Sequence, residues 1–135
     1  MDGSTNSKSA VTESRVIAGL TAAGYPCYVP TGVGKADLVI ETAEGLKSIQ
    51  CKTARHVGEG RLMFNANSVL RSGGAVGYKG AVDYFGVVCP GVPGVFLIPV
   101  EDAPDTRVTL RLAAARSATN ARWAHNYLVA GSELC

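Results

Sequence analysis

Residues 36–53 read ADLVIETAEGLKSIQCKT. Two strand-like runs, ADLVIE and LKSIQCKTA, are joined through the turn-like ETAEG, and a β-hairpin is the simplest structure for that pattern. Side chains alternate along a strand, so Gln50 and Lys52 share one face while Cys51 points the other way. Pairing places Asp37, at the entry to the first strand, within reach of that face. A carboxylate, an amide and an ammonium are therefore expected to converge on one patch.

Working outward, residues 8–24 carry Val16, Ile17 and Leu20 at helical spacing and end on Gly24, a natural stop, so a helix is expected there. YPCYVP is a short strand bounded by prolines, and TGVGK a turn. On the far side, residues 55–82 are rich in Gly and Asn and read as a long, partly ordered loop with a short helix near Asn67–Arg71. A loop of that length in a compact domain is usually functional. YFGVVC and GVFLIPV are apolar enough to be buried on both faces, joined by PGVPG. TRVTLRL alternates Val108, Leu110 and Leu112 against Arg107, Thr109 and Arg111, as a half-buried strand does. NARWAHNYL is expected to close the chain as a short helix capped by Asn120. The fold class is thus α/β, in a single domain over residues 1–135, with residues 1–8 expected to be disordered.

Composition narrows the function classes. A chain of 135 residues with 47% hydrophobic and 18% charged side chains can bury a core of its own. No run of about 18 apolar residues occurs and no signal peptide is evident, so a cytoplasmic protein is expected. The four cysteines are widely spaced without a CxxC pair, which argues against structural zinc; Cys27, Cys51 and Cys89 lie in apolar runs and read as small buried hydrophobes. GVGKAD lacks the earlier glycine and the Ser or Thr of a phosphate-binding P-loop. His56 and His125 have no partners at metal-ligand spacing. The net charge is only +2, but its distribution is uneven. Lys47, Lys52, Arg55, Arg61, Arg71 and Lys79 oppose a lone Glu59 in one segment, and Arg107, Arg111, Arg116 and Arg122 stand without an acid in another. If those segments share a face, a polyanion can dock on it.

The patch at Asp37, Gln50 and Lys52 suits phosphodiester hydrolysis. A divalent cation binds the scissile phosphate and lowers the pKa of a water. Mg²⁺ takes oxygen ligands from few protein groups, and Asp37 and Gln50 offer a carboxylate and a carbonyl oxygen. Lys52 can orient the attacking water or offset charge developing on phosphorus. Glu13, on the first helix, can reach the same place. Taken singly these residues mean little: a strand lysine is ordinarily an edge charge, and an aspartate after a Gly-rich loop is ordinarily a turn residue.

ADLVIE followed by SIQCKTA resembles the PD-(D/E)XK nucleases, with Gln50 in the place of the motif's second acid. More narrowly it is similar to the small homing endonucleases of bacterial group I introns. In those a Glu-bearing helix, a D-L pair and a strand ending in I-Q-x-K-T form the site. The run from Tyr78 through Val82, Asp83 and Phe85 to the Ile98–Pro99 pair is similar to that family's later hairpin, and Arg116 to Asn120 with Trp123–Ala124 to its closing segment. Ala36 stands where the motif has proline. The resemblance implies a restriction-endonuclease-like core, a mixed central sheet flanked by helices. It implies a metal-dependent DNA endonuclease in which Glu13, Asp37, Gln50 and Lys52 are catalytic and Asp37, Gln50 and Glu13 hold Mg²⁺, for which Mn²⁺ substitutes. The partners it implies are double-stranded or branched DNA and a second copy, as homodimer or homotetramer. Arg55, His56, Arg61, Arg71, Lys79, Arg116, Asn120 and Arg122 are the expected DNA contacts, with Asn65 or Asn67 reading base edges. Two alternatives stay open: a Holliday-junction resolvase on the same fold, told apart by a branched substrate, and a non-catalytic DNA-binding module on a decayed nuclease fold, told apart by indifference to Lys52→Ala.

Overall fold

In a computed structural model the chain is described over residues 5–32, 34–69, 75–78, 80–104, 106–112 and 122–134. Helix α1 (Thr5–Ala22) and strand β1 (Cys27–Tyr28) lead into the hairpin, β2 (Leu38–Thr42) and β3 (Gly45–Thr53). The short strands β4 (Arg55–His56), β5 (Arg61–Asn65), β6 (Asn67–Val69) and β7 (Ala75–Gly77) follow. Then come β8 (Tyr84–Cys89), β9 (Val92–Pro99) and β10 (Arg107–Arg111). The main sheet has the order β1-β2-β3-β8-β9. Its central pair, β3 and β8, is parallel, and its other pairs are antiparallel. This is a mixed sheet, as expected.

Alternation along β3 divides the interior into two cores. Ile49 and Cys51 pack with Val16, Leu20, Leu38, Ile40, Val88 and Val95 between α1 and the sheet. The strand-mates that face away share their side with Phe85 and Val87, directly opposite Gln50 and Lys52 on β8. There the cover is a second sheet, β10-β5-β4, whose Leu62, Phe64, Val108 and Leu110 complete the other core. The helix lies close on its side because Gly86 leaves room for it. A Cβ there would sit 2.9 Å from Ile49 Cγ2 and 3.1 Å from Val16 Cγ1, so any larger residue would pry helix from sheet.

Several sequence expectations need correction. The expected loop over 55–82 holds β4 to β7 instead. RLMFN alternates after all: Leu62 and Phe64 are buried while Arg61, Met63 and Asn65 are not. Its pairing partner is β10, far along the chain, which local reading could not see. Asn67–Val69 is a strand rather than the start of a short helix; Arg71 lies outside the described residues. The closing helix reduces to one 3₁₀ turn, Ala124–Asn126. After it the chain runs extended along β9, with Leu97 N–H donating to the Tyr127 carbonyl and Val129 N–H to that of Val95, and edge pairing wins over local helix preference. The expected Asn120 cap lies outside the described residues. Among the described residues the sheet carries one long helix on one face and a second sheet on the other. The N-terminal helix begins at Thr5, inside the segment 1–8 expected to be disordered, and it stops where Gly24 adopts φ 98°. Cys51 and Cys89 are buried and Cys27 half-buried, all three as free thiols. Among the described residues no helix is long and apolar enough to cross a membrane.

Candidate active site

The site forms where β2 stops short and β3 runs on. The last paired residues are Leu38 and Ile49. Beyond them Asp37 takes over the ladder: its backbone N–H donates to the Ile49 carbonyl at 2.8 Å, and its Oδ2 accepts the Cys51 N–H at 2.9 Å. A side chain thus replaces the strand that would otherwise have satisfied Cys51, and the sheet forks. Asp37, Gln50 and Lys52 lie along that fork. The sequence reading of their convergence is met in backbone terms, since the register puts Asp37 beside β3 at this point.

Each remaining side chain is held from a different direction. Gln50 Nε2 makes a long contact to the Cys51 carbonyl at 3.5 Å, and its amide oxygen is of the kind that can act as a ligand. Lys52 Nζ donates to the Asn67 carbonyl and to the Tyr78 hydroxyl, both at 3.3 Å, and lies 4.6 Å from the centre of the Tyr78 ring. Glu13 arrives from α1. Thr12, next to it and buried, hydrogen-bonds Thr53 Oγ1 at 2.5 Å, and Arg15 donates to the carbonyls of Cys89 and Val92 at 3.2 and 3.0 Å. These bonds fix the helix against the ends of β3 and β8 and so set where Glu13 stands. Neither was visible as a pair in the sequence, because the partners are 41 and about 75 residues apart.

The electrostatics mark Asp37 and Glu13 as neighbours. Burial, and next the charge of Asp37, push the Glu13 carboxyl above its usual range. Burial also raises Asp37, against the Cys51 N–H and the Lys52 ammonium, which pull it down only in part. Cys51 is driven well above the ordinary thiol range, by burial first and then by Asp37 and Glu13, so it stays a neutral thiol and is no nucleophile. A raised acid disfavours the ionised folded state, so in the metal-free protein Glu13 weakens folding at neutral pH and ceases to do so below about 4.5, its ordinary value. Glu13→Gln is therefore expected to raise Tm in EDTA at neutral pH. Its advantage over wild type should shrink towards zero as pH falls through the raised Glu13 range, which thermal melts across pH would reveal.

The donor set suits a hard cation. The described residues hold no cluster of three or more His, Cys, Asp or Glu side chains arranged for a metal. What this fork provides is Asp37, Glu13 with its proton affinity raised by burial and then by that neighbour, and an amide oxygen. All are oxygen donors, the kind Mg²⁺ takes, and Mg²⁺ needs few of them.

The other expected contacts divide. In the β10-β5-β4 sheet, Arg111 lies opposite Arg61, Arg107 opposite Asn65, and Arg55 opposite Met63. Residues opposite one another project to the same side, so Arg55, Arg61, Arg107 and Arg111 form one basic face, with Leu62 and Phe64 buried behind. Arg107 and Arg111 were not among the expected contacts; their alternation with Val108 and Leu110 was the signal. His56 projects the other way, with Nε2 at 3.3 Å from the Pro90 carbonyl. Arg122 donates to the Asp102 carbonyl at 3.3 Å, and Asn67 gives its own carbonyl to Lys52. Arg71, Lys79, Arg116 and Asn120 lie outside the described residues.

A mixed sheet crossed by one helix and forked at an Asp–Gln–Lys patch is a restriction-endonuclease-like core. Its backbone superposes on that of a bacterial homing endonuclease, I-Ssp6803I, with a TM-score of 0.69 at 17% sequence identity, over 95% of this chain and 88% of the other. No curated protein matches the sequence. The model of the PD-(D/E)XK endonuclease family matches residues 3–130. The chain belongs to that family and is a nuclease. Nucleases of the family generally use divalent metal ions.

Proposed function

We propose that this chain is a Mg²⁺-dependent DNA endonuclease of the homing type, cutting phosphodiester bonds at a specific target sequence, with Mn²⁺ able to substitute. The observation that carries the reading is the fork itself, where Asp37 closes onto the Cys51 N–H beside Gln50 and Lys52. Asp37, Gln50 and Glu13 would hold the metal, which supplies charge to bind the scissile phosphate and to acidify a water. The chain's own residues do the rest. Lys52 places a cation by the phosphate as its charge grows, already oriented by Asn67 and Tyr78. Burial raises the Asp37 carboxyl and the Cys51 N–H and Lys52 offset that only in part, so a bound cation would be what favours its charged form.

The homing assignment draws on I-Ssp6803I, whose fold this chain shares. One such fork cuts one strand. A double-strand break takes two, so the active species is at least a homodimer, and closed symmetry would make it a dimer or tetramer. The arginine face of β10-β5-β4 contacts backbone phosphates. Arg107→Ala and Arg111→Ala are expected to weaken DNA binding alike for all sequences and to flatten its salt dependence, by about 0.9 in log–log slope for each phosphate no longer neutralised. Binding isotherms on unrelated duplexes over a salt series test this. The function itself is tested by incubating a plasmid library of randomised targets, and a four-way junction, with the protein and Mg²⁺. Selective cleavage of a linear target supports the homing reading, and selective cleavage of the junction replaces it with a resolvase.

A further inference from the structure

Tyr78 is almost wholly buried, at 6% exposure, and is held edge-on by Phe85, with ring centres 5.5 Å apart at 84°. Phe85 is in turn held edge-on by Phe64 at 5.4 Å. Phe85 also lies opposite Gln50 on the neighbouring strand. An aromatic stack from the second sheet therefore ends, at Tyr78, beside the fork. Two cations rest on that last ring. Lys52 Nζ is 4.6 Å from its centre and Lys35 Nζ 4.7 Å. Lys35 precedes Asp37 by two residues and is half-buried. An ammonium over an aromatic face is attracted by the ring quadrupole, the more so when partly desolvated. Two ammonium groups on one ring still repel each other, and the arrangement gains most when an anion joins them. At this place in the fold the Asp37 carboxylate already bears on Lys52, and a DNA phosphate bound for cutting would be a further anion within reach of the pair.

We infer that Tyr78 is a positioning residue that holds two lysines at the fork, and that the second of them, Lys35, contacts the phosphate being cut. The inference rests on the nuclease reading above and deepens it. Lys52 and Lys35 approach the phosphate from β3 and from the run into β2. The ring holds each ammonium within 4.7 Å of its centre, and the Tyr78 hydroxyl accepts from Lys52. Lys35 had no motif to mark it, since it sits in a Gly-rich turn.

Two readouts test this. The first needs no cleavage: NMR of protein carrying ¹³Cε-lysine, in wild type, Tyr78→Phe and Tyr78→Leu. Two lysine methylene signals are expected at ring-shifted, upfield positions in wild type and Tyr78→Phe, moving to ordinary positions in a folded Tyr78→Leu. Absence of shifted signals in wild type overturns the inference. The second is single-turnover cleavage of the selected target with Mg²⁺. Lys35→Gln is expected to slow the cutting step roughly 10-fold or more at saturating protein, with DNA affinity nearly unchanged. Tyr78→Leu should slow it further, and Tyr78→Phe should keep most of the rate. In the double variant the effects of Lys35→Gln and Tyr78→Leu should be less than additive. If wild type cuts and Lys35→Gln cuts as fast, the inference fails while the nuclease reading stands. If wild type cuts nothing, the nuclease reading fails and takes this one with it.

Discussion

Lys52→Ala is expected to slow phosphodiester cleavage by about 10²–10³-fold, the usual cost of removing one preorganised donor from a developing oxyanion. DNA binding should survive. Lys52 is half-buried at the fork and tied to Asn67 and Tyr78, so it adds one phosphate contact at most, whereas the arginine face of the second sheet offers four cations. Affinity at fixed salt should therefore change by less than about 10-fold, as for the loss of a single charge. The split between rate and affinity is the informative part. Single-turnover rates and binding isotherms on the same duplex give both. A variant in which rate and affinity fall together would make Lys52 a structural or docking residue.

Asp37→Asn is expected to abolish cleavage, with a loss of at least about 10³-fold that raising Mg²⁺ does not restore, since the site's firmest cation ligand becomes neutral beside an already neutral Gln50. The same change should stabilise the metal-free protein. The substituted asparagine can still accept the Cys51 N–H through its amide oxygen, so the fork keeps its ladder bond. What goes is a half-buried charge whose ionisation burial opposes, together with its repulsion of Glu13. Above the raised Asp37 range Tm in EDTA should rise, and below its ordinary value of 3.8 the variant and wild type should melt alike. A lower Tm at neutral pH would mean that Asp37 is a structural hydrogen-bonding residue rather than one kept under strain for a ligand. Loss of activity with gain of stability is the pattern of a residue retained for function.

The hairpin at 36–53, its face assignments and the α1 helix were legible because each is local. Alternation at Ile49–Lys52 and helical spacing at Val16–Leu20 need nothing beyond a few neighbours. The second sheet was not. β5 pairs with β10 across all the chain from β6 to β9, and its alternating pentapeptide is framed by Gly58, Gly60 and Asn67, which outweigh it locally. The same non-locality hid the pairing that sets the basic segment of Arg107 and Arg111 on one side with Arg55 and Arg61, and hid Tyr78 as the floor under Lys52. The closing helix failed for the converse reason: WAHNYL has acceptable helix formers, but the open edge of β9 offers it backbone partners. For the site, the residue types were readable from their spacing and their resemblance to a family. The means of holding them was not, since it lies in Thr12–Thr53, Arg15 and the side chain of Asp37 standing in for a strand.

The central claim is that the fork at Asp37, Gln50 and Lys52 cuts DNA with a divalent metal. The most direct measurement is cleavage of the plasmid library of randomised targets by wild type, Asp37→Asn and Lys52→Ala, each with Mg²⁺ and with EDTA. Linear product from wild type with Mg²⁺ alone, and from neither variant, is the predicted result. Cutting that persists in EDTA or in either variant, or wild-type protein that binds DNA throughout and cuts none of it, would contradict the account.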